Sequence, residues 1–414
     1  MIFDFAVIGG GAAGLSAAIS FHNSEPQKTV IILERLDRIG KKILATGNGR
    51  CNLSNIDISL EKYTSTSPAI LLKMISKMPT SATLDFFSQL GLFCRADVDG
   101  RIYPYCNQAS VVLDVMRSYI LEANIPVLCS VNISSLSKAP NCFTIYIENQ
   151  EAIYAKSVLI STGGCATPNL GSNGSGFSYS RMFQHSTIPL CPCLVPIESN
   201  IIDKSLKGVR THCKVSMYKG NSQIFDGIGE VQFVEGGISG IPIFQLSRFF
   251  ETPSKSNEYT IFMDFFPEIT LEALRQELTI RWKSGYDKLL INFLAGMLNN
   301  RLALFLLKHL CSLSQRHARI SDLSESDILF ITKGLKQFPI FPSRHLAWNK
   351  AQATKGGIPL TEINPETCES LICPNLYFAG EILDVVGECG GYNLHWAWNT
   401  GILVGKAIGN RLSQ

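Results

Sequence analysis

The spacing of apolar and polar positions divides this chain into stretches of different texture. At the front, the apolar run at residues 5–8 stops at Gly9-Gly10-Gly11, small residues then open the next stretch, and a second apolar run at 29–33 ends at Glu34. That pattern predicts a strand, a tight turn, a helix and a second strand. Two helices over 68–90, the second capped by Thr80 and stopped at Gly91, lead to a hairpin over 93–103 that turns at Asp99-Gly100. An amphipathic helix over 109–124 and a strand over 127–131 follow. Next, 142–148 and 152–156 read as a hairpin turning at Asn149-Gln150, and 157–161 as a strand ending in Thr162-Gly163-Gly164. From 188 to about 264 short alternating strands with glycine turns predict a β-rich domain, and 270–335 reads as helical. Strand character returns at 350–358 and 376–379, and a glycine turn near 387–391 opens a long apolar helix with closely spaced small residues.

A length of 414 residues exceeds one typical core and predicts two or three domains. The formal net charge of +3 is close to balance, and no basic block stands out as a nucleic-acid footprint, so no nucleic-acid partner is expected. The most apolar stretch, 289–310, is broken by Asn292, Asn299, Asn300 and Arg301, which predicts a core helix or helix pair and no membrane span. Met1 runs straight into the first strand without a basic leader and cleavage site, so no signal peptide is expected. Thirteen scattered cysteines, an odd number, then suit reduced thiols and a cytoplasmic location. Cys191 and Cys193 form a C-x-C without further ligands, a poor metal site, and no metal is expected.

Gly9, Gly11 and Gly14 stand at the positions of a G-x-G-x-x-G turn. The first permits the sharp turn, the second lets backbone approach a pyrophosphate, and the third lets helix pack on strand. With Ala12 and Ala13 at its first turn, the helix N-terminus offers N–H groups and a partial positive charge to phosphates. Glu34 can accept hydrogen bonds from both hydroxyls of an adenosine ribose. This fingerprint alone leaves NAD and FAD open. The subsequent order of helix, parallel strand, short antiparallel meander and strand ending in Thr162-Gly163 favours FAD. After Glu34 comes a long polar loop, 35–55, whose Arg35, Lys41, Lys42 and Arg50 suit phosphates or an electron-rich ring. Near the C-terminus Gly380, Glu381 and Asp384 follow a strand, and the glycine turn opening the last helix aims a helix N-terminus at something anionic, in a flavoprotein the N1–C2=O edge of the reduced ring.

With those segments the chain resembles the NAD(P)/FAD-dependent oxidoreductase family that includes BaiN-type bile-acid reductases and aminoacetone-oxidase-like members, within the glutathione-reductase-like flavoproteins. The matching segments are VIGGGAAG with Glu34, GKKILATGNGRCNLSN at 40–55, STGG at 161–164, GISG at 237–240 and LYFAGEILDVVGECGGYNL at 376–394. The resemblance implies an α/β, Rossmann-like FAD-binding domain made of 1–188 and 341–414. Inserted in it are a β-barrel-like domain, 189–268, and a small helical domain, 269–340. It also implies roles. Gly9, Gly11, Ala12, Ala13 and Gly14 would hold the pyrophosphate, Glu34 the ribose, and Val131 the adenine by backbone contact, with Arg35 also among the cofactor-binding residues. Lys42, Gly47, Arg50, Cys51 and Asn52 would lie near the flavin. Thr162 and Gly163 would cover the ADP side, Gly380, Glu381 and Asp384 would approach ribityl and pyrophosphate, and Gly391, Tyr392, Asn393 and Leu394 the isoalloxazine edge. His395 stands where glutamine is common in the family, and it, Tyr392 and Glu388 are candidates for proton transfer by their proximity in sequence to that stretch. Cys51 has no C-x-x-C partner, which argues against a redox pair.

The implied activity is transfer of a hydride through the flavin N5 to a small organic acceptor with an activated double bond, with NAD(P)H as a transient donor because no second G-x-G-x-x-G unit appears. The alternatives are an oxidase of a small amine such as aminoacetone using O₂, and a flavin-binding scaffold acting with RNA or protein.

Overall fold

A computed structural model describes residues 2–413 except 252–257, 286, 312–317 and 344–345. The chain divides into two compact units, Met1–Cys193 with Trp348–Gln414, and Leu194–Ala347.

The first unit is built on a seven-stranded sheet. Its strands are β1 (Ile2–Ile8), β2 (Val30–Leu33), β3 (Val127–Leu128), β4 (Ile133–Ala139), β5 (Cys142–Ile147), β6 (Ile153–Ile160) and β7 (Leu376–Phe378), in the order β3-β2-β1-β6-β5-β4 with β7 also paired to β6. Pairing is parallel from β3 through β6 and to β7, and antiparallel along β6-β5-β4. The stretches expected as two strands, 152–156 and 157–161, are a single strand: the front of β6 closes the meander against β5 while its whole length runs beside β1. The meander also contains β4, whose serine-rich sequence carried no clear alternation.

Register decides what gathers at one edge. Ile8 lies opposite Leu33 and Ile160, and Ile160 opposite Phe378. The residues that follow, Gly9, Glu34, Ser161 and Ala379, therefore emerge together beyond the carboxyl ends of parallel strands, where open α/β sheets bind ligands.

Helix α1 (Ala12–Ser24) is buried on all sides because the last helix, α2 (Tyr392–Leu412), lies directly against it. Gly401, Gly405 and Gly409 recur every four residues and so share one face. A Cβ at Gly401 would sit 2.2 Å from the Ala13 carbonyl oxygen, and one at Gly405 2.4 Å from that of Ala17. Ser16 Oγ donates to the Trp398 carbonyl at 3.1 Å, and the fully buried Trp398 meets Phe87 edge-on at 5.1 Å. The small residues of the two chain ends thus exist for backbone-to-backbone approach.

The second unit holds a six-stranded antiparallel sheet, in the order Ile197–Glu198, Gly237–Ser239, Ser222–Val234, Arg210–Lys219, Tyr259–Asp264, Phe338–Ile340. Helices Leu271–Ser284, Asn300–Leu310 and Glu325–Lys336 belong to the same unit, and Phe305 and Phe338 pack ring against ring at 5.7 Å. The apolar stretch 289–310 is interrupted as its asparagines suggest: Asn299 caps the helix that begins at Asn300 by accepting from the Arg301 N–H. Among the described residues no helix is long and apolar enough to cross a membrane, and no cluster of ligands could hold a metal ion.

Candidate functional site

A cavity of about 400 Å³ opens at the carboxyl edge of the parallel strands. Its floor is the Gly9–Ala13 turn and the start of α1. Gly9 has φ +105, and a Cβ there would meet the Ser161 carbonyl oxygen at 2.6 Å, so only glycine makes this turn. Gly14 does not line the cavity; a Cβ on it would be 2.0 Å from the Gly9 oxygen, which makes it the helix-to-turn contact that the spacing predicts. Gly11 differs from both. With φ −90 it is an ordinary N-cap without a side-chain cap, and a Cβ on it would meet nothing within 4 Å. The first N–H groups of α1 have no partner within the helix and face this open space.

Glu34 is fixed by two backbone donors. The Gly10 N–H reaches Oε2 at 2.8 Å and the Leu36 N–H reaches Oε1 at 2.8 Å. A carboxylate has about four acceptor sites, so those not taken by the backbone remain for a ligand. The Val131 N–H donates to the Glu34 carbonyl at 3.0 Å; Val131 lines the cavity but its N–H is spent on holding the acid's turn. Two cavity-lining groups have no hydrogen-bond partner among the described residues, Arg35 Nε and Thr162 Oγ1, both atoms being buried. Such groups cost free energy unless something fills the space beside them.

In the cavity wall Lys42 Nζ donates to Glu381 Oε2 at 2.8 Å, the Ala166 carbonyl at 3.2 Å and Ser172 Oγ at 3.3 Å. Gly163, Gly380, Asn393 and Leu394 complete the expected residues that line it. Gly380 is held by Thr400, whose Oγ1 accepts its N–H at 3.0 Å, and by Trp396, whose Nε1 donates to its carbonyl at 3.2 Å. Tyr179, Gln352 and Trp396 line the cavity too. Sequence reasoning missed them because nothing in their residue type or spacing marks them, and packing alone brings each to the cavity.

The other expected residues do not reach the cavity; they form its supporting shell. With its amide oriented so that oxygen and nitrogen both find partners, Asn52 bridges the Ser54 and Ile102 carbonyls and accepts the Gly391 N–H at 3.0 Å, tying the 40–55 loop to the start of α2. Gly47 and Asn48 are left-handed, and a Cβ on Gly47 would press on the Asn52 nitrogen at 2.8 Å. Arg50 is exposed and lies over the Tyr103 ring at 4.7 Å. Asp384 is buried, accepts from Thr66 N and Oγ1 at 2.9 and 2.5 Å, and has its pKa raised by that burial. Tyr392 is buried edge-on against Tyr63 at 5.7 Å, and burial reinforced by Asp57 and Glu388 pushes its phenol up to about 12.

Cys51 is fully buried at φ +57, and burial pushes its thiol up to about 12. The thiolate is the reactive form, so at pH 8 iodoacetamide is expected to alkylate the exposed Cys106 in the native protein and leave Cys51 unmodified until unfolding, as read by peptide mass spectrometry.

His395 faces away from the cavity and is 2 % exposed. Nε2 lies 2.8 Å from the Met78 carbonyl and is therefore the donor, while Nδ1 lies 2.8 Å from Ser54 Oγ and accepts. Burial lowers its pKa from 6.5 to about 4. In the unfolded chain the ring protonates below about 6.5 while in the fold it stays neutral, so stability is full above that pH and falls as pH drops toward 4. The slope from this group is about 1.4 kcal/mol per pH unit. Thermal melts between pH 7 and 4 are expected to show a shallower acid limb for His395→Gln than for the unaltered chain.

Comparison with known proteins agrees with this architecture. Residues 3–407 match the model of the HI0933-like protein Rossmann domain family. The 3-dehydro-bile acid delta(4,6)-reductase of Clostridium scindens is 34% identical over 408 residues, covering 98% of both chains. A ribosomal RNA dihydrouridine synthase of Haemophilus influenzae is 25% identical over 402 residues, covering 95% of both. Among solved structures, the 3-ketosteroid delta1-dehydrogenase of Sterolibacterium denitrificans superposes with a TM-score of 0.51 at 12% identity, over 99% of this chain and 100% of that one, which speaks for the fold. The two chain ends meeting around one cavity, and a family match running over nearly the whole length, lead to one statement: the chain belongs to the HI0933-like family and is an oxidoreductase enzyme with a Rossmann-like α/β FAD-binding fold.

Proposed function

We propose that this chain holds FAD in the cavity and uses it to reduce a carbon–carbon double bond conjugated to a carbonyl in a small organic substrate, with NAD(P)H as a transient electron donor. The observation that carries the reading is shared chemistry among relatives. The Clostridium scindens protein is named for reducing delta(4,6) unsaturation in a 3-dehydro bile acid, and the Haemophilus influenzae protein for making dihydrouridine. Both names describe saturation of a carbon–carbon double bond in conjugation with a carbonyl.

The residues fit FAD. The uncapped N-terminus of α1 with open space above Gly11 suits a pyrophosphate. Glu34, with lone pairs left beyond its two backbone donors, suits a ribose diol and disfavours a 2′-phosphate. The orphaned Thr162 hydroxyl and Arg35 Nε are donors for an anionic or hydroxylated ligand. Bound there, FAD would supply two-electron hydride transfer. The chain would supply orientation through Asn393, Leu394 and Trp396 at the start of α2, and exclusion of water by the packed wall beneath them. A nicotinamide donor would dock transiently over the flavin, since the sheet of the second unit is antiparallel, with no parallel strand-turn-helix of its own among the described residues.

Anaerobic mixing tests this. NADH or NADPH should bleach the flavin, and a 3-oxo-4-ene steroid should restore its colour without O₂. No bleaching by either nicotinamide, together with O₂ uptake on aminoacetone, would overturn it in favour of the oxidase. Recolouring by a uridine-containing ribosomal RNA fragment and not by the enone would assign the acceptor to RNA.

A further inference from the structure

We propose that Lys42 and Glu381 act as a charge-compensated positioning pair that sets the reduction potential of the bound flavin; this rests on the FAD reading above. The two side chains come from positions 339 apart and meet in the cavity wall. Their side chains are 25% and 20% exposed, so each stays partly open to the cavity. Neither is free to swing. The three N–H groups of Lys42 have three acceptors, Glu381 Oε2, the Ala166 carbonyl and Ser172 Oγ. The other Glu381 oxygen accepts the Thr354 N–H at 2.8 Å, and Thr354 Oγ1 accepts the Cys165 and Ala166 N–H groups at 2.8 and 3.2 Å. One network thus ties Lys42, Ser172 and Glu381, which line the cavity, to Cys165, Ala166 and Thr354 behind them.

The ammonium directs its donors into protein, so what it offers a ligand is charge. Charge in the partly buried wall of a cavity acts more strongly than in bulk water. A flavin gains negative charge on reduction, which a nearby cation favours and a nearby carboxylate opposes. Paired, the two nearly cancel. Separated by substitution, each would leave the other's charge uncompensated in the wall of the cavity proposed to hold the flavin, so the two single variants must shift the potential in opposite directions. A purely structural strut would not produce that sign reversal.

The test is the midpoint potential of FAD-loaded protein, measured by equilibration with a reference dye. Lys42→Met should lower it and Glu381→Gln raise it, each by roughly tenfold or more in the oxidised-to-reduced ratio, about 30 mV for a two-electron couple. The double variant should return to within a few-fold of the unaltered protein, and Lys42→Arg, which keeps the charge, should stay near it. If Lys42→Met does not retain flavin, Lys42→Gln, which keeps a donor toward Ala166, carries the same expectation. Shifts of the same sign in both singles, no shift, or a double variant as displaced as the singles would overturn the proposal. Those results leave the FAD reading standing; an unaltered protein that takes up no FAD defeats both.

Discussion

Gly11→Ala gives a folded protein that purifies without flavin. The position has φ −90, which any residue adopts, and a methyl there meets no protein atom within 4 Å. Loss of an N-cap glycine costs folding about 1 kcal/mol at most. The same methyl projects into the space where the α1 N–H groups converge, so a pyrophosphate would be held off its donors. Affinity for FAD should fall roughly 100-fold, about 3 kcal/mol. Flavin absorbance of the purified protein, FAD titration and a melt of the apoprotein check all three parts. A yellow Gly11→Ala protein with unaltered FAD affinity would remove the α1 N-terminus from the site. Gly14, in the same motif, is the control: its methyl would collide with the Gly9 carbonyl, so Gly14→Ala should damage the fold itself.

Gly401→Val has the largest expected cost to stability. Its Cβ would lie 2.2 Å from both the Ala13 carbonyl oxygen and Ser16 Oγ, and backbone in the middle of a buried helix cannot yield. The two helices must part, which costs about 3 kcal/mol or more. Because α1 begins at the cavity floor, parting them also moves the N–H groups proposed to hold the cofactor. The measurement is denaturant unfolding of the apoprotein alongside FAD titration. Gly409→Ala should cost less, since the nearest atom there is the side-chain Cβ of Ser24 at 2.6 Å and not backbone. A Gly401→Val midpoint equal to that of the unaltered chain would mean that the two ends of the polypeptide do not depend on each other.

Some of the candidate site was legible without coordinates because its signals are local. Gly9 and Gly14 report a backbone conformation and a close approach between residues five apart, and Glu34 reports the end of a short strand. Each is a property of neighbours along the chain. The glycines of the last helix could also be read as small and closely spaced, although not what they pack against.

Other features depended on residues far apart in the chain. The 40–55 loop carries cations and a cysteine that sequence reasoning brings near a cofactor, yet Gly47, Cys51 and Asn52 turn into the wall because Asn52 is drawn to Gly391. His395 stands beside the start of α2, but helical geometry points it to the Met78 carbonyl, away from the cavity. β4 escaped notice because its strand character comes from pairing with β5, not from its own alternation. The sequence by itself therefore determined the turn, the acid and the helix that begin the site, since steric freedom and spacing are written residue by residue. Only the tertiary structure decided which side chains face the cavity and that Lys42 meets Glu381, because those outcomes depend on packing between segments more than 300 residues apart.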